Sequence, residues 1–141
     1  MYQEFSLPVG FWVPFCRNKM EQKEFVIIET MPTINAYYED EQIFEKIERI
    51  TPDIKRYVAD QLTCNDIQLQ PNEVSLRLLQ SRGNGMLAPL EMEVHAASFK
   101  ERIEKQDEIC LNIQKFLIEK VDNLSDVKVW LILSELGHSW E

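Results

Sequence analysis

From residue 32 onward, the chain repeats one pattern twice: a strand, then a helix, then a second strand. Apolar and polar residues alternate in the strand-like runs, whereas in the helix-like runs apolar residues recur at three- and four-residue steps. Each unit is long enough for a right-handed crossover between two parallel strands. The pattern therefore predicts an α+β (α/β-like) fold, in which two β-α-β units form a four-stranded mixed sheet with two helices on one face.

The apolar positions indicate where these elements lie. Strands are predicted at the alternating runs 33–38, 74–80, 90–96 and 127–133, and helices at 43–62 and 98–121. Pro52 predicts a kink or a restart of the first helix, with Thr51 as the N-cap. Ser98 and Glu101 resemble a capping box that opens the second helix.

The two helices also share a core pattern, which indicates a weak internal repeat. The corresponding apolar positions are Ile54, Val58 and Leu62 in the first helix and Ile113, Leu117 and Val121 in the second. A sheet with helices on one face leaves its other face uncovered, and we expect oligomerisation to cover it. A ferredoxin-like regulatory module has the same element order with antiparallel strand pairing, and the sequence leaves that arrangement open.

Residues 1–31 differ from the rest of the chain in composition and in hydrophobic pattern. They begin with aromatic residues and prolines and continue into a polar stretch without a clear amphipathic period. They are either an N-terminal extension, which could pack as an extra strand, or upstream sequence translated from a start assigned too early. Residues 32–141 are predicted to form the single domain, since 141 residues suffice for one hydrophobic core.

Composition excludes several classes of function. A net charge of −9 leaves no basic surplus for a nucleic-acid partner. The three cysteines form no CxxC pair and the two histidines lack metal-ligand spacing, so we expect no metal and no cofactor. No run approaches the ~20 apolar residues of a membrane helix. The protein is predicted to be soluble and cytoplasmic, without a membrane partner.

The dipeptide Met31-Pro32 carries most of the functional question. Inside a chain, Pro32 is a tertiary amide without a basic nitrogen, and it is confined to the edge or the start of a strand. At a chain start, after removal of the methionine, it would be a secondary amine that takes up protons near neutral pH. One interpretation gives a structural residue, and the other gives a catalytic base.

Met31-Pro32, the two β-α-β units, Arg77 in the second strand and the loop Gly83-Asn84-Gly85 together resemble the tautomerase superfamily. The length of the double unit resembles its carboxymethyl-hydroxymuconate isomerase and macrophage migration inhibitory factor branches. The resemblance covers residues 32–141 and none of residues 1–31. It implies an isomerase that moves a proton in an unsaturated or 2-oxo carboxylic acid, with an amino-terminal proline as the base and a homotrimer as the assembly.

The resemblance also implies roles for individual residues. Pro32 matches the catalytic proline, and Arg77 is the better match for the arginine that holds the substrate carboxylate or the developing enolate oxygen. Arg82, beside the glycine-rich loop, is a second substrate-binding arginine, and Tyr38 and Trp140 are the aromatic residues that could line the pocket. The chain departs from the family because Pro32 follows 31 residues, and an acylated proline cannot be the base.

A non-catalytic reading therefore stands beside the catalytic one. In that reading the protein is an oligomeric binding or assembly protein on the same scaffold, and Pro32 is an internal amide at the start of a strand. Residues 1–31 then belong to the functional chain and extend the sheet or clasp a neighbouring copy.

Overall fold

The structure is a computed structural model, and it describes residues 31–64, 68–83 and 85–135. These residues belong to a compact unit that begins at Met31. The predictions made for residues 1–30 and for Trp140 lie outside the described part of the chain.

The described elements follow the predicted order, with each helix divided into two. They are β1 (Thr33–Tyr38), α1 (Glu41–Arg49), α2 (Thr51–Leu62), a short 3₁₀ turn (Pro71–Glu73), β2 (Ser75–Gln80), β3 (Leu90–Ala97), α3 (Lys100–Glu104), α4 (Gln106–Lys120) and β4 (Val127–Ser134). Each crossover therefore contains a helix pair rather than one continuous helix.

The four strands form one mixed sheet in the order β2-β1-β3-β4. β1 pairs in parallel with β2, and β3 pairs in parallel with β4, whereas β1 and β3 pair antiparallel at the centre. Parallel pairing within each half excludes the ferredoxin-like arrangement. The predicted α+β fold with two β-α-β units is confirmed.

Burial alternates along the strands and distinguishes the two faces of the sheet. The face against the helices is apolar, and Ile34, Met92 and Val94 on it have no exposed surface. The ring of Tyr57 on α2 stacks on Phe116 of α4, with the centroids 4.3 Å apart and the planes 12° from parallel. This contact joins the two long helices above a single core.

The opposite face of the sheet, here called the open face, is mixed in chemistry. Its central strands β1 and β3 contribute half-buried polar side chains, and the outer strands contribute both polar and apolar side chains, most of them exposed. The residues of the open face are Thr33, Asn35, Tyr37, Ser75, Arg77, Leu79, Glu91, Glu93, His95, Lys128, Trp130 and Ile132. Their positions follow from the period of two along a strand.

The predicted interruption at Pro52 occurs, but its N-cap differs from the prediction. α1 ends at Arg49, Ile50 occupies the cap position, and Thr51 is the first residue of α2. The Thr51 hydroxyl donates back to the Ile47 carbonyl at 3.1 Å, so it serves the end of α1 instead of the start of α2. Proline fits here because an early helical position needs no backbone donor.

A second interruption at Lys105 was not predicted. Lys105 has φ −108° and ψ 16°, nearly the values of Ile50 at the first interruption, φ −107° and ψ 16°. The break turns Ile103 away from the core, and Ile103 is therefore 55% exposed. The predicted capping box at Ser98 is also wrong, since Phe99 takes the N-cap position of α3 without a side-chain cap hydrogen bond.

Aligning the two helix breaks corrects the internal repeat. Ile50 corresponds to Lys105, so the buried residues Ile54, Val58 and Leu62 of α2 correspond to Ile109, Ile113 and Leu117 of α4. All six are buried. The predicted correspondence was displaced by one helical turn, because an apolar face repeats every turn and does not fix its own register.

Candidate functional site

Pro32 is buried and directly precedes β1. Its carbonyl accepts a hydrogen bond from the backbone N–H of Ser75 at 3.0 Å, which fixes the residue at the end of the β1–β2 pair. Its nitrogen is joined to Met31, whose side chain is 43% exposed. In the full chain this nitrogen belongs to a tertiary amide, and its lone pair is not available to accept a proton.

Arg77 lies on β2, beside Asn35 of β1 in the strand register, and it is exposed on the open face. Pro32 is two positions before Ile34, and by strand alternation it belongs to the opposite, helix-covered side. Within one copy of the chain, the sheet therefore separates the predicted base from the predicted arginine.

Arg82 and Tyr38 lie at the other end of the β1–β2 pair. The backbone N–H of Ser81 donates to the Tyr38 carbonyl at 2.7 Å, and the exposed Arg82 follows immediately. Tyr38 is 7% exposed and packs on Phe44, with the ring centroids 5.3 Å apart. Six strand residues separate this end from Pro32, a distance of about 20 Å.

A cleft of about 440 Å³ lies on the open face, and Tyr37, Glu93 and Trp130 are among the residues that line it. The Tyr37 hydroxyl donates to Glu93 Oε1 at 3.2 Å, and His95 Nε2 lies 3.5 Å from the same oxygen. Partial burial, together with the charge and hydrogen bond of Glu93, raises the pKa of Tyr37 above its ordinary value. Sequence reasoning missed Tyr37 here, although its alternation with Tyr38 placed it on the face opposite to the core.

A second cavity, of about 340 Å³, lies where α2 ends and α4 begins, and Arg102 is part of its wall. Arg102 is 2% exposed. Its Nε donates to the Leu62 carbonyl and its Nη1 to the Ala97 carbonyl, both at 2.9 Å, and its guanidinium carbon lies 4.9 Å from the centre of the Phe99 ring.

The remaining nitrogen of Arg102, Nη2, is buried without an acceptor among the described residues. Burial lowers the pKa of Arg102, and the neighbouring Cys64 opposes that shift. Arg102 had no predicted role. The relevant feature of the sequence is that Arg102 directly precedes Ile103. Because the helix breaks at Lys105, residue 102 faces the core and residue 103 does not.

The described residues contain no group of three His, Cys, Asp or Glu side chains that could hold a metal ion. Within the same residues, no helix is long and apolar enough to cross a membrane. Cys64 and Cys110 are both half-buried.

Comparison with known proteins identifies the fold. No family model matches the chain, and no curated sequence matches it. A protein of unknown function from Vibrio cholerae has a similar structure, with a TM-score of 0.58 at 15% identity over 81% of this chain and 86% of that one. A macrophage migration inhibitory factor-like protein from Entamoeba histolytica gives 0.55 at 10% identity over 79% of this chain and 96% of that one.

A domain of unknown function from Sebaldella termitidis gives a TM-score of 0.40 at 13% identity, covering 79% of this chain and 95% of that one. The predicted fold is confirmed by the Entamoeba histolytica protein, whose macrophage migration inhibitory factor-like structure this chain resembles. Residue roles do not follow from it, because sequence identities this low show the fold alone.

Proposed function

We propose that residues 32–141 are a cytoplasmic tautomerase-type isomerase, active when the nitrogen of Pro32 is a free amine. The observation that carries the proposal is the position of Pro32, buried and directly before the first strand of a sheet with the macrophage migration inhibitory factor-like fold. The proposal is further supported by the compact unit that begins at Met31.

The chemistry follows from the free amine. An α-amino group has a pKa of about 7.7–8.0 in model compounds, and a buried position disfavours the charged form and lowers it. Such an amine removes a proton from one carbon or oxygen of an unsaturated or 2-oxo carboxylic acid, which leaves an enolate or dienolate. The resulting ammonium group returns the proton at the other end of the conjugated system, so the reaction needs no cofactor.

Arg77 is the proposed partner of the substrate carboxylate or the enolate oxygen. Because Pro32 and Arg77 lie on opposite sides of one sheet, we propose that the pocket forms between copies, in a homotrimer. The exposed apolar side chains of the open face support an assembly: Trp130 is 41% exposed, and Leu79 and Ile132 are each 38% exposed. Because Arg82 lies at the far end of β1 from Pro32, it would join this pocket only from a neighbouring copy.

The test compares two forms of the protein, the full chain and a chain expressed from Met31 whose initiator methionine has been removed. Phenylenolpyruvate and a 2-hydroxymuconate are the substrates, and ketonisation is followed by absorbance, with intact mass reporting the amino terminus. We expect activity from the form that begins at Pro32 and little from the full chain. Inactivity of both forms, each shown to be folded, would refute the proposal.

Subunit mixing tests the shared pocket. Pro32→Ala and Arg77→Ala copies, refolded together, should be more active than either variant alone, because some pockets then receive both native residues. Mixing each single variant with the Pro32→Ala/Arg77→Ala double variant is the matched control and should give no gain. If the first mixture shows no gain either, the pocket does not draw on two copies.

The second candidate function is a non-catalytic oligomeric binding or assembly protein. The observation that favours it is the nitrogen of Pro32 itself, which is an amide in the 141-residue chain. In that case the full chain forms the oligomer and the Pro32→Ala substitution changes neither assembly nor any measured isomerase activity. Size-exclusion chromatography with light scattering, run on both forms, separates this outcome from the first.

A further inference from the structure

We propose that the cavity around Arg102, between the end of α2 and the start of α4, is a binding site for a small oxyanion such as phosphate or a short carboxylate. This cavity is separate from Pro32 and from the open face, and the proposal does not depend on the isomerase activity. It has three supports: an internal comparison between the two halves of the fold, the donors that surround the cavity, and the chemistry of a guanidinium group.

The internal comparison shows that the fold does not require an arginine at this place. Arg102 lies three residues before the second helix break, and Ile47 lies three residues before the first. Ile47 is completely buried, and Arg102 is 2% exposed. An apolar side chain therefore fills the equivalent position in the first half. Burying a cation instead costs desolvation energy, which the two hydrogen bonds to backbone carbonyls and the contact with the Phe99 ring offset in part, while Nη2 has no acceptor among the described residues.

The donors around the cavity are incompletely used. Arg102 gives Nε and Nη1 to backbone carbonyls, but Nη2 has no acceptor among the described residues. A guanidinium group presents its donors in a planar fork that matches the oxygens of phosphate and carboxylate groups. An oxyanion would supply the missing acceptor and the missing negative charge together.

The start of α4 adds to this environment. Lys105 occupies the N-cap position of this 15-residue helix, without a side-chain cap hydrogen bond, and it also lines the cavity. A helix N-terminus carries partial positive charge and unpaired N–H groups, and it favours anions. Among the described lining residues, two cations, Arg102 and Lys105, stand beside one carboxylate, Glu101.

Nη2 is shielded from solvent in the structure, so an anion that reaches it must displace part of the cavity wall. A ligand of few atoms is favoured for this reason, and the cavity of about 340 Å³ accommodates one. Chloride has no pair of oxygens to match the guanidinium fork, and it is the natural reference ion for a test.

The experiment is a titration of the ¹⁵N-labelled full chain with inorganic phosphate and, separately, with acetate, at constant ionic strength set by sodium chloride. We expect saturable shifts of the amide resonances of Thr63, Cys64, Arg102 and Lys105, with a Kd on the order of 1 mM. The two arms distinguish a phosphate site from a carboxylate site. The absence of saturable shifts with both anions would overturn the proposal.

Three variants make the test specific. Arg102→Met, which places an unbranched apolar side chain where the first half has Ile47, should weaken binding by about tenfold or more. Lys105→Gln should weaken it by about threefold, since an exposed cation contributes less. Lys115→Gln, an exposed lysine farther along α4, is the matched control and should leave the Kd unchanged.

A loss of binding in Arg102→Met must be distinguished from a loss of structure. The amide spectrum shows directly whether the variant is folded, and Lys105→Gln, an exposed substitution, supplies an independent readout if it is not. Equal binding by the parent chain and by Lys105→Gln and Arg102→Met would mean that the anion binds elsewhere, and the proposal would be wrong.

Discussion

The first β-α-β unit is preceded by Pro32, which is buried, and the second is preceded by Pro89, which is exposed. The helix pairs of the two units break with nearly identical backbone angles, at Ile50 and at Lys105. Three residues before each break, the first unit buries Ile47 and the second buries Arg102. The backbone plan is repeated, and chemically different side chains occupy equivalent places in it.

The repeated plan separates what the fold needs from what a function adds. Pro32 lies on the helix-covered side of its strand, whereas Pro89 directly precedes the buried Leu90 and lies on the opposite side, so strand alternation accounts for their different burial. In the first half, an apolar side chain three residues before the helix break suffices for packing, so the repeated backbone does not itself require the arginine of the second half. The proposed anion site lies at one of the places where the halves differ in chemistry.

The largest expected effect compares the two strand-opening prolines. In the form that begins at Pro32, Pro32→Ala should lower the ketonisation rate by about 100-fold or more, the low end of what a positioned base contributes. Alanine's flexible primary amine does not hold its lone pair in the fixed direction of the proline ring. Pro89→Ala is the matched control, and steady-state kinetics should show it close to the parent. Equal losses in both variants would break the comparison.

The second prediction compares the two positions before the helix breaks. Ile47→Ala should lower the free energy of unfolding by about 2–5 kcal/mol, because it opens a cavity in the core. Arg102→Met leaves two carbonyls without donors but also removes a buried charge, and these opposed effects should leave a net change below about 2 kcal/mol. Urea unfolding of the full chain measures both. A larger loss for Arg102→Met would show that the fold needs the arginine.

The third prediction concerns the open face at the outer strand of the second half. Trp130→Glu should weaken self-association by about tenfold to 100-fold, because it places a carboxylate where an exposed aromatic side chain is proposed to be buried. Leu111→Glu on α4 replaces a comparably exposed apolar residue, 48% against 41%, and serves as the control. Sedimentation velocity over a concentration series gives the result. If both variants dissociate alike, the open face is not the interface.

The smallest expected effect lies at the seam between the halves, where β1 and β3 meet. The raised pKa of Tyr37 means that the unfolded chain loses this proton first as the pH rises. Folding therefore favours the protonated form of Tyr37, chiefly through burial and also through the charge and hydrogen bond of Glu93, and this contribution to stability is fully present below about pH 10 and is lost as the pH rises through the folded-state pKa. Tyr37→Phe should cost about 1 kcal/mol at neutral pH and reduce the alkaline decline.

Urea unfolding at neutral and alkaline pH measures this seam contribution, and Tyr57→Phe, whose ring stacks on Phe116, is the control. An unchanged alkaline decline in Tyr37→Phe would show that the seam hydrogen bond does not contribute.

Much of the fold was predictable from the sequence. Strict alternation around Met92 and Val94 predicted β3 and the direction of its core face, and Pro52 predicted the first helix break, because proline lacks the donor that a helix interior needs. The second break at Lys105 has no proline and leaves only an ambiguous apolar period. For that reason one continuous helix was predicted over 98–121, and Arg102 was missed.

The candidate site was less predictable for a geometric reason. Periodicity assigns a residue to a face of the sheet, but it does not show which residues meet at one end. Tyr38 and Arg82 therefore looked compatible with a pocket at Pro32, although they lie at the far end of β1. The proposed pocket that joins Pro32 and Arg77 draws on neighbouring copies, which a single chain's sequence does not describe.

The most direct test of the central claim is the intact mass of the protein purified from its natural source, measured without proteolysis. The claim predicts a mass equal to that of residues 32–141, with Pro32 as a free amino terminus that Edman degradation identifies in the first cycle. A mass that includes residues 1–31 would contradict it, since the nitrogen of Pro32 would then be an amide in the functional protein.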